Sequence, residues 1–116
     1  ALKRYANEKA VEYGLSPERY QQLMYTIEHE SSWDALAYNK GDERFVKGGS
    51  RGVAQFTLPT WLMFNRLRLT KLDYSSPLDQ LDMMAWAFST GRESNWSVYC
   101  KKFARNDPKC KWAIPK

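Results

Sequence analysis

Histidine and cysteine are scarce in this chain: His29 stands alone, and Cys100 and Cys110 are the only thiols. A zinc site would need about four nitrogen or sulfur ligands, so one histidine beside two cysteines leaves it short. Long apolar runs are also missing, and nothing approaches the roughly 18 residues that a bilayer-spanning helix requires. The opening "ALKRYANEKAVEYG" interleaves charges with apolar residues and lacks the continuous apolar stretch of a signal peptide. Its abrupt start leads us to expect an excised or processed domain. Repeats, low-complexity tracts and linkers are absent too. With 116 residues there is room for one domain around one core, and so for one site.

What is present is ordinary for a globular protein, 43% apolar and 27% charged, with a basic balance of 18 Lys and Arg against 13 Asp and Glu. A net charge of +5 favours approach to polyanionic surfaces such as cell wall, anionic lipid or nucleic acid. The charge is spread along the chain, however, and its densest stretch, "CKKFARNDPKCKW", is interrupted by Asp107 and Pro108; a solvated face is the plainer reading. Cys100 and Cys110 lie ten positions apart with the turn signal "NDP" between them. A disulfide closing that loop suits an oxidising compartment, against the alternative of two reduced thiols in a cytoplasmic protein.

The patterning predicts a mainly α domain with a compact bundle of about five helices. Leu2 to Tyr13 carries a helical period and meets Gly14, where a helix commonly stops. A second helix opens on Ser16 as cap and Pro17 as first helical residue, and runs to the glutamates near position 30. From Trp33 to Gly52 the period vanishes, and "NKGDERFVKGGSRG" reads as a long Gly-rich loop or short hairpin. Thr57 with Pro59 and Ser76 with Pro77 repeat the start signal for a third and a fourth helix. The fourth, the most apolar, belongs at the centre. A last helix is predicted from Asn95, with Trp96, Tyr99, Cys100 and Phe103 on its apolar stripe.

The stretch "IEHESSWDALAYN" holds two carboxylates, Glu28 and Glu30, near the end of the second helix. There the partial negative charge of unpaired carbonyls, with partial burial, disfavours a carboxylate and suits a general acid. Both glutamates qualify by position, and helical phase does not separate them.

The surrounding pattern does. Glu30 followed by Ser31 and Trp33, then "SRGVAQFTLPTW" with Gly52, Gln55, Pro59 and Thr60, then "AFSTG" from Ala87 to Gly91, resembles the lysozyme superfamily. It is most similar to catalytic domains of the soluble lytic transglycosylase type, with goose-type lysozyme as a relative, over roughly residues 15 to 100. The resemblance implies a lysozyme-like α+β fold with the Gly-rich segment lining a substrate cleft. In it Glu30 is the catalytic acid and Gln55 faces the bound sugar, against the alternative of a buried amide that satisfies the Gly-rich loop; Tyr38, Phe56, Phe88 and Ser89 are further candidate sugar contacts, as is Ser31, alternatively a helix-end cap or a partner of Glu30. The third motif departs from the family pattern, because Phe88 stands where the family has a tyrosine whose hydroxyl faces the catalytic carboxyl. Tyr38 is the first candidate to supply that hydroxyl. Glu28 and His29 read as solvated, and Trp33, Trp61, Trp86 and Trp112 as packing.

The implied chemistry cleaves the β-1,4 bond between N-acetylmuramic acid and N-acetylglucosamine of peptidoglycan. Glu30 protonates the leaving oxygen and then, as a carboxylate, takes the proton of the sugar's own 6-hydroxyl as a 1,6-anhydro ring closes. Neither a second carboxylate nor a metal or other cofactor is needed. The expected setting is a monomeric domain in a bacterial envelope or a phage particle, acting on glycan strands and not on nucleic acid. Two alternatives stand beside this reading. One is a hydrolytic muramidase with Asp42 or Glu43 as base, about 6.5 to 9.5 Å from the acid. The other is a non-catalytic cationic module that binds cell wall.

Overall fold

Among the described residues, three of the five α-helices begin with the hydroxyl caps that their sequences announce. In the computed structural model, which describes residues 1–41 and 46–114, the Ser16 side chain accepts from the Arg19 N–H at the start of α2 (Pro17–Ser31). Thr57 accepts from Thr60 N–H at α3 (Leu58–Arg68), and Ser76 from Asp79 N–H at α4 (Pro77–Ser89). Each places a proline in the first turn, where its missing N–H removes no bond. α1 (Leu2–Glu12) ends at Gly14, which takes a left-handed φ of +70° and lets Leu15 N–H return to the Ala10 carbonyl.

α4 forms the centre, with Gln80 to Ala85, Ala87 and Phe88 buried. α1 packs along it through Ala6 and Ala10, whose small side chains admit close approach. Asp82 on α4 is the polar node of that contact: it accepts from Arg68 at 3.3 Å and from the Tyr13 hydroxyl, with the Lys9 ammonium 4.0 Å away. Burial, with Asp82 beside it, raises the Tyr13 pKa. Behind this contact Phe56 meets Trp61 and Trp96 edge to face, at 5.0 and 5.2 Å between ring centres.

The Gly-rich interval contributes a small antiparallel sheet in the order β1 (Tyr38–Asn39), β2 (Ser50–Arg51), β3 (Phe56–Thr57). Tyr38 pairs with Arg51, and Arg51 with Phe56. The molecule is thus mainly helical with a minor β part, as the patterning predicts.

The C-terminal region departs from the expected boundaries. Glu93–Asn95 forms a 3-10 turn and Trp96 is extended, so α5 begins at Ser97 rather than Asn95 and ends at Phe103. A second 3-10 helix, Pro108–Ala113, follows, capped by Asp107, whose carboxylate accepts from Lys109 N–H at 2.9 Å. Cys100 and Cys110 are joined by a disulfide across this turn, with their Cα atoms 5.4 Å apart. No helix among the described residues is long and apolar enough to cross a membrane.

Candidate functional site

Glu30 occupies the penultimate position of α2, half-buried, and lines a cavity of about 680 Å³. Glu28, two residues earlier, is exposed and does not line it. His29 is exposed beside Tyr25, with 4.1 Å between ring centres. The tertiary structure therefore separates two carboxylates that helical phase leaves equivalent. The helix stops because Ser32 and Trp33 turn left-handed, at φ 52° and 63°. Neither residue favours that region, and such strain costs on the order of 1–3 kcal/mol per residue unless neighbours impose it.

One neighbour is the turn Gly52–Gln55. The Ser31 hydroxyl donates to the Val53 carbonyl at 2.6 Å while accepting from Trp33 N–H at 3.2 Å. It thereby ties the end of α2, one residue after Glu30, to the turn. The Trp96 indole N–H donates to the Ala54 carbonyl at 2.7 Å. Gln80 reaches up from α4, accepting from Ala54 N–H at 3.0 Å and donating to the carbonyls of Tyr74 at 2.9 Å and Arg51 at 3.2 Å. The amide of Gln80 lies against Gly52, whose φ is +85°, and a Cβ there would overlap it. Glycine is required at position 52 both by conformation and by this contact.

Gln55, at φ 55°, closes the turn. Its side-chain amide donates to the carbonyls of Gly52 at 2.9 Å and Ala37 at 3.1 Å, and it lines the cavity at 8% exposure. With both N–H groups engaged by backbone, what Gln55 offers a ligand is an acceptor oxygen. The first two motifs thus meet as one hydrogen-bonded unit around Glu30.

The other expected sugar contacts are distributed between the cavity and places outside it. Ser31 serves the backbone, as described, and is not among the cavity-lining residues. Phe88 is 2% exposed and packs against Trp96 and Tyr99 at 5.5 and 5.7 Å, as a core ring away from the cavity wall. Its apolar side chain is accommodated because this end of α4 faces aromatic neighbours. Ser89 is exposed, and its hydroxyl donates to the Trp86 carbonyl at 2.7 Å, also off the wall. Phe56 does reach the wall, though its ring is mostly core. Tyr38 is stacked on the Arg51 guanidinium at 4.2 Å and lines a separate, smaller depression of about 240 Å³ with Tyr74 and Gln80. Asp42 and Glu43 fall outside the described residues.

Trp112, expected as packing, is 61% exposed and on the cavity wall, together with Lys101 and Ile114. Nothing in the sequence singles it out, because it lies beyond the last helix. Gln80 did leave a signal: a polar residue four positions before Met84 and eight before Phe88, on the buried stripe of the most apolar helix. Among the described residues no group of three or more potential ligand side chains could hold a metal ion. No family model, curated protein or solved structure matches the chain.

Proposed function

We propose that the protein is a peptidoglycan-cleaving enzyme with a lysozyme-like fold, a lytic transglycosylase in which Glu30 acts first as general acid and then as general base. The observation that carries this reading is the place of Glu30 on the wall of a sugar-sized cavity, beside the Gly52–Gln55 turn, while Glu28 lies outside. Glu30 is next to the last residue of α2, and its carboxyl is the acid that donates to a leaving glycosidic oxygen. The resulting carboxylate accepts the proton of the 6-hydroxyl as that oxygen bonds to the anomeric carbon, so no water is consumed. Ser31, Gln80 and Trp96 hold the turn and the helix end in register; these are positioning residues, with Gln55 as the acceptor at the wall. The Cys100–Cys110 bridge supports action in an oxidising setting such as the bacterial envelope.

The test is turbidity loss of purified peptidoglycan. Glu30→Gln lowers the rate by about a hundredfold or more, in the range for loss of a general acid, while Glu28→Gln keeps most of it. Equal loss in both variants defeats the assignment, and an undiminished Glu30→Gln defeats the enzyme mechanism. Mass spectrometry of the products separates the two chemistries, since anhydro ends are lighter than the reducing ends of hydrolysis by one water.

A further inference from the structure

The C-terminal wall of the cavity has a composition that the catalytic reading does not use. Of the five tryptophans, Trp61 and Trp96 are buried and Trp33 and Trp86 half-buried; Trp112 alone is mainly exposed. An exposed indole forfeits much of the burial that stabilises the other four, yet this one is not loose. Its N–H donates to the Ser94 carbonyl at 2.9 Å, and Cys110, two residues earlier, is fully buried in the disulfide to Cys100. The ring is therefore anchored at one edge and through its backbone, and the residue lines the cavity with most of its surface exposed. Lys101, adjacent to Cys100, lies on the same wall; it is exposed, and among the described residues its ammonium has no ion-pair partner. The bridge thus fixes an aromatic platform and a cation into one cavity that also contains Glu30.

We propose that Trp112 and Lys101 form a carbohydrate subsite of this cavity, the indole stacking on the apolar face of an amino sugar and the ammonium pairing with a carboxylate carried by that sugar or by its peptide substituent. An aromatic face supplies area and orientation at little entropic cost because it is already held, and a lysine supplies a point charge that tolerates varied carboxylate geometry. The inference rests on the peptidoglycan reading for the identity of the sugar, but not on Glu30 being the acid. It also gives a purpose to the short disulfide loop, which carries the platform.

Binding of soluble glycans to the folded protein tests it, measured by calorimetry in a Glu30→Gln background. Three ligands are compared: neutral chitooligosaccharides, peptide-free glycan strands with free lactyl carboxylates, and strands bearing stem peptides. Trp112→Ala weakens all three about tenfold, the scale of one lost aromatic contact, and Trp112→Phe restores most of the affinity. Lys101→Gln leaves the neutral oligosaccharide unchanged and weakens a carboxylate-bearing ligand several-fold. A loss confined to peptide-free strands assigns the lactyl carboxylate, and one confined to peptide-bearing strands assigns the stem peptide. Thermal unfolding of each variant is measured in parallel; should Trp112→Ala unfold, Trp112→Phe and Lys101→Gln still decide. Affinities within twofold of the parent in folded Trp112→Ala, or no binding of any of the three ligands by the parent, overturn the proposal. If Glu30→Gln still cleaves strands while Trp112→Ala binds them poorly, the general-acid assignment fails and the subsite stands. Abolished cleavage in Glu30→Gln with unaltered binding in Trp112→Ala gives the reverse.

Discussion

The cavity has two walls held by different means. The turn Gly52–Gln55 is fixed by hydrogen bonds from three directions: Ser31 on α2, Gln80 on α4 and Trp96 before α5. The C-terminal wall depends on one covalent bridge, Cys100–Cys110, and one indole bond from Trp112 to Ser94. The difference follows from the backbone in each. Gly52 and Gln55 have positive φ, and the carbonyls of Val53 and Ala54 point to partners that secondary structure does not supply; without Ser31 and Trp96 they would be buried and unpaired. The C-terminal segment satisfies its own backbone through a capped 3-10 helix, so it needs only to be pinned in place. On the proposed reading, the wall that holds the Glu30 carboxylate in register is over-determined, whereas the one that presents the Trp112 platform is merely anchored.

The largest effect is expected at the first wall. Gly52→Ala places a methyl into the Gln80 amide at a φ of +85° and should lower stability by about 3 kcal/mol or more, combining left-handed strain with overpacking. Urea unfolding measures this, and a loss under about 1 kcal/mol would mean that the turn is softer than its bonding implies.

At the second wall, the double variant Cys100→Ser/Cys110→Ser removes a crosslink over ten residues and should cost about 2–3 kcal/mol by the loop-entropy relation. The midpoint falls with the slope of the urea transition little changed, and the variant stays folded with its cleavage rate less affected than its glycan affinity. A cleavage rate that fell as far as in Glu30→Gln would erase the proposed division between the walls.

Ser31→Ala sharpens the comparison more gently. It leaves the Val53 carbonyl without its donor, for a loss of about 1–2 kcal/mol. Cleavage should fall more than stability predicts, because the end of α2 carries Glu30. An effect on stability with none on rate would reduce Ser31 to a structural role.

The smallest effect concerns Tyr13, which lies outside both walls. Burial and Asp82 hold its pKa above the ordinary value of about 10, so at alkaline pH the unfolded chain releases this proton before the folded one. The contribution is fully present below pH ~10 and is lost as pH rises through the higher folded value. Stability therefore declines above pH ~10, and Tyr13→Phe flattens that decline. Tyr74, also raised by burial, retains its own share of the slope. An unchanged slope in Tyr13→Phe would remove the α1–α4 node from the account.

Local chemistry was legible where it acts over a few residues. Ser16, Thr57 and Ser76 with their prolines locate three helix starts, because a cap bonds to an N–H only three positions away. The central place of α4 followed from its apolar content. The late start of α5 was not legible, since a helical stripe continues through Trp96 whether or not the backbone there is helical. The roles of Phe88 and Tyr38 were not legible either. A motif states which residue types recur, but the direction of a ring depends on neighbours such as Trp96, Tyr99 and Arg51 that lie elsewhere in the chain.

By itself the sequence determined three helix starts, the Gly-rich loop, the basic balance and two carboxylates at a helix end, because each depends on residues within one or two turns of chain. The motif around Glu30 already favours it over Glu28, but only the tertiary structure decided that Glu30 lines a cavity, that Ser31 serves the turn, and that Trp112 stands exposed on the same cavity as Lys101. Those outcomes rest on contacts between α2, the Gly52–Gln55 turn, Gln80 and the disulfide-held C-terminal segment. Their separations in sequence, 22 residues from Ser31 to Val53 and 26 from Ala54 to Gln80, exceed the reach of any local pattern.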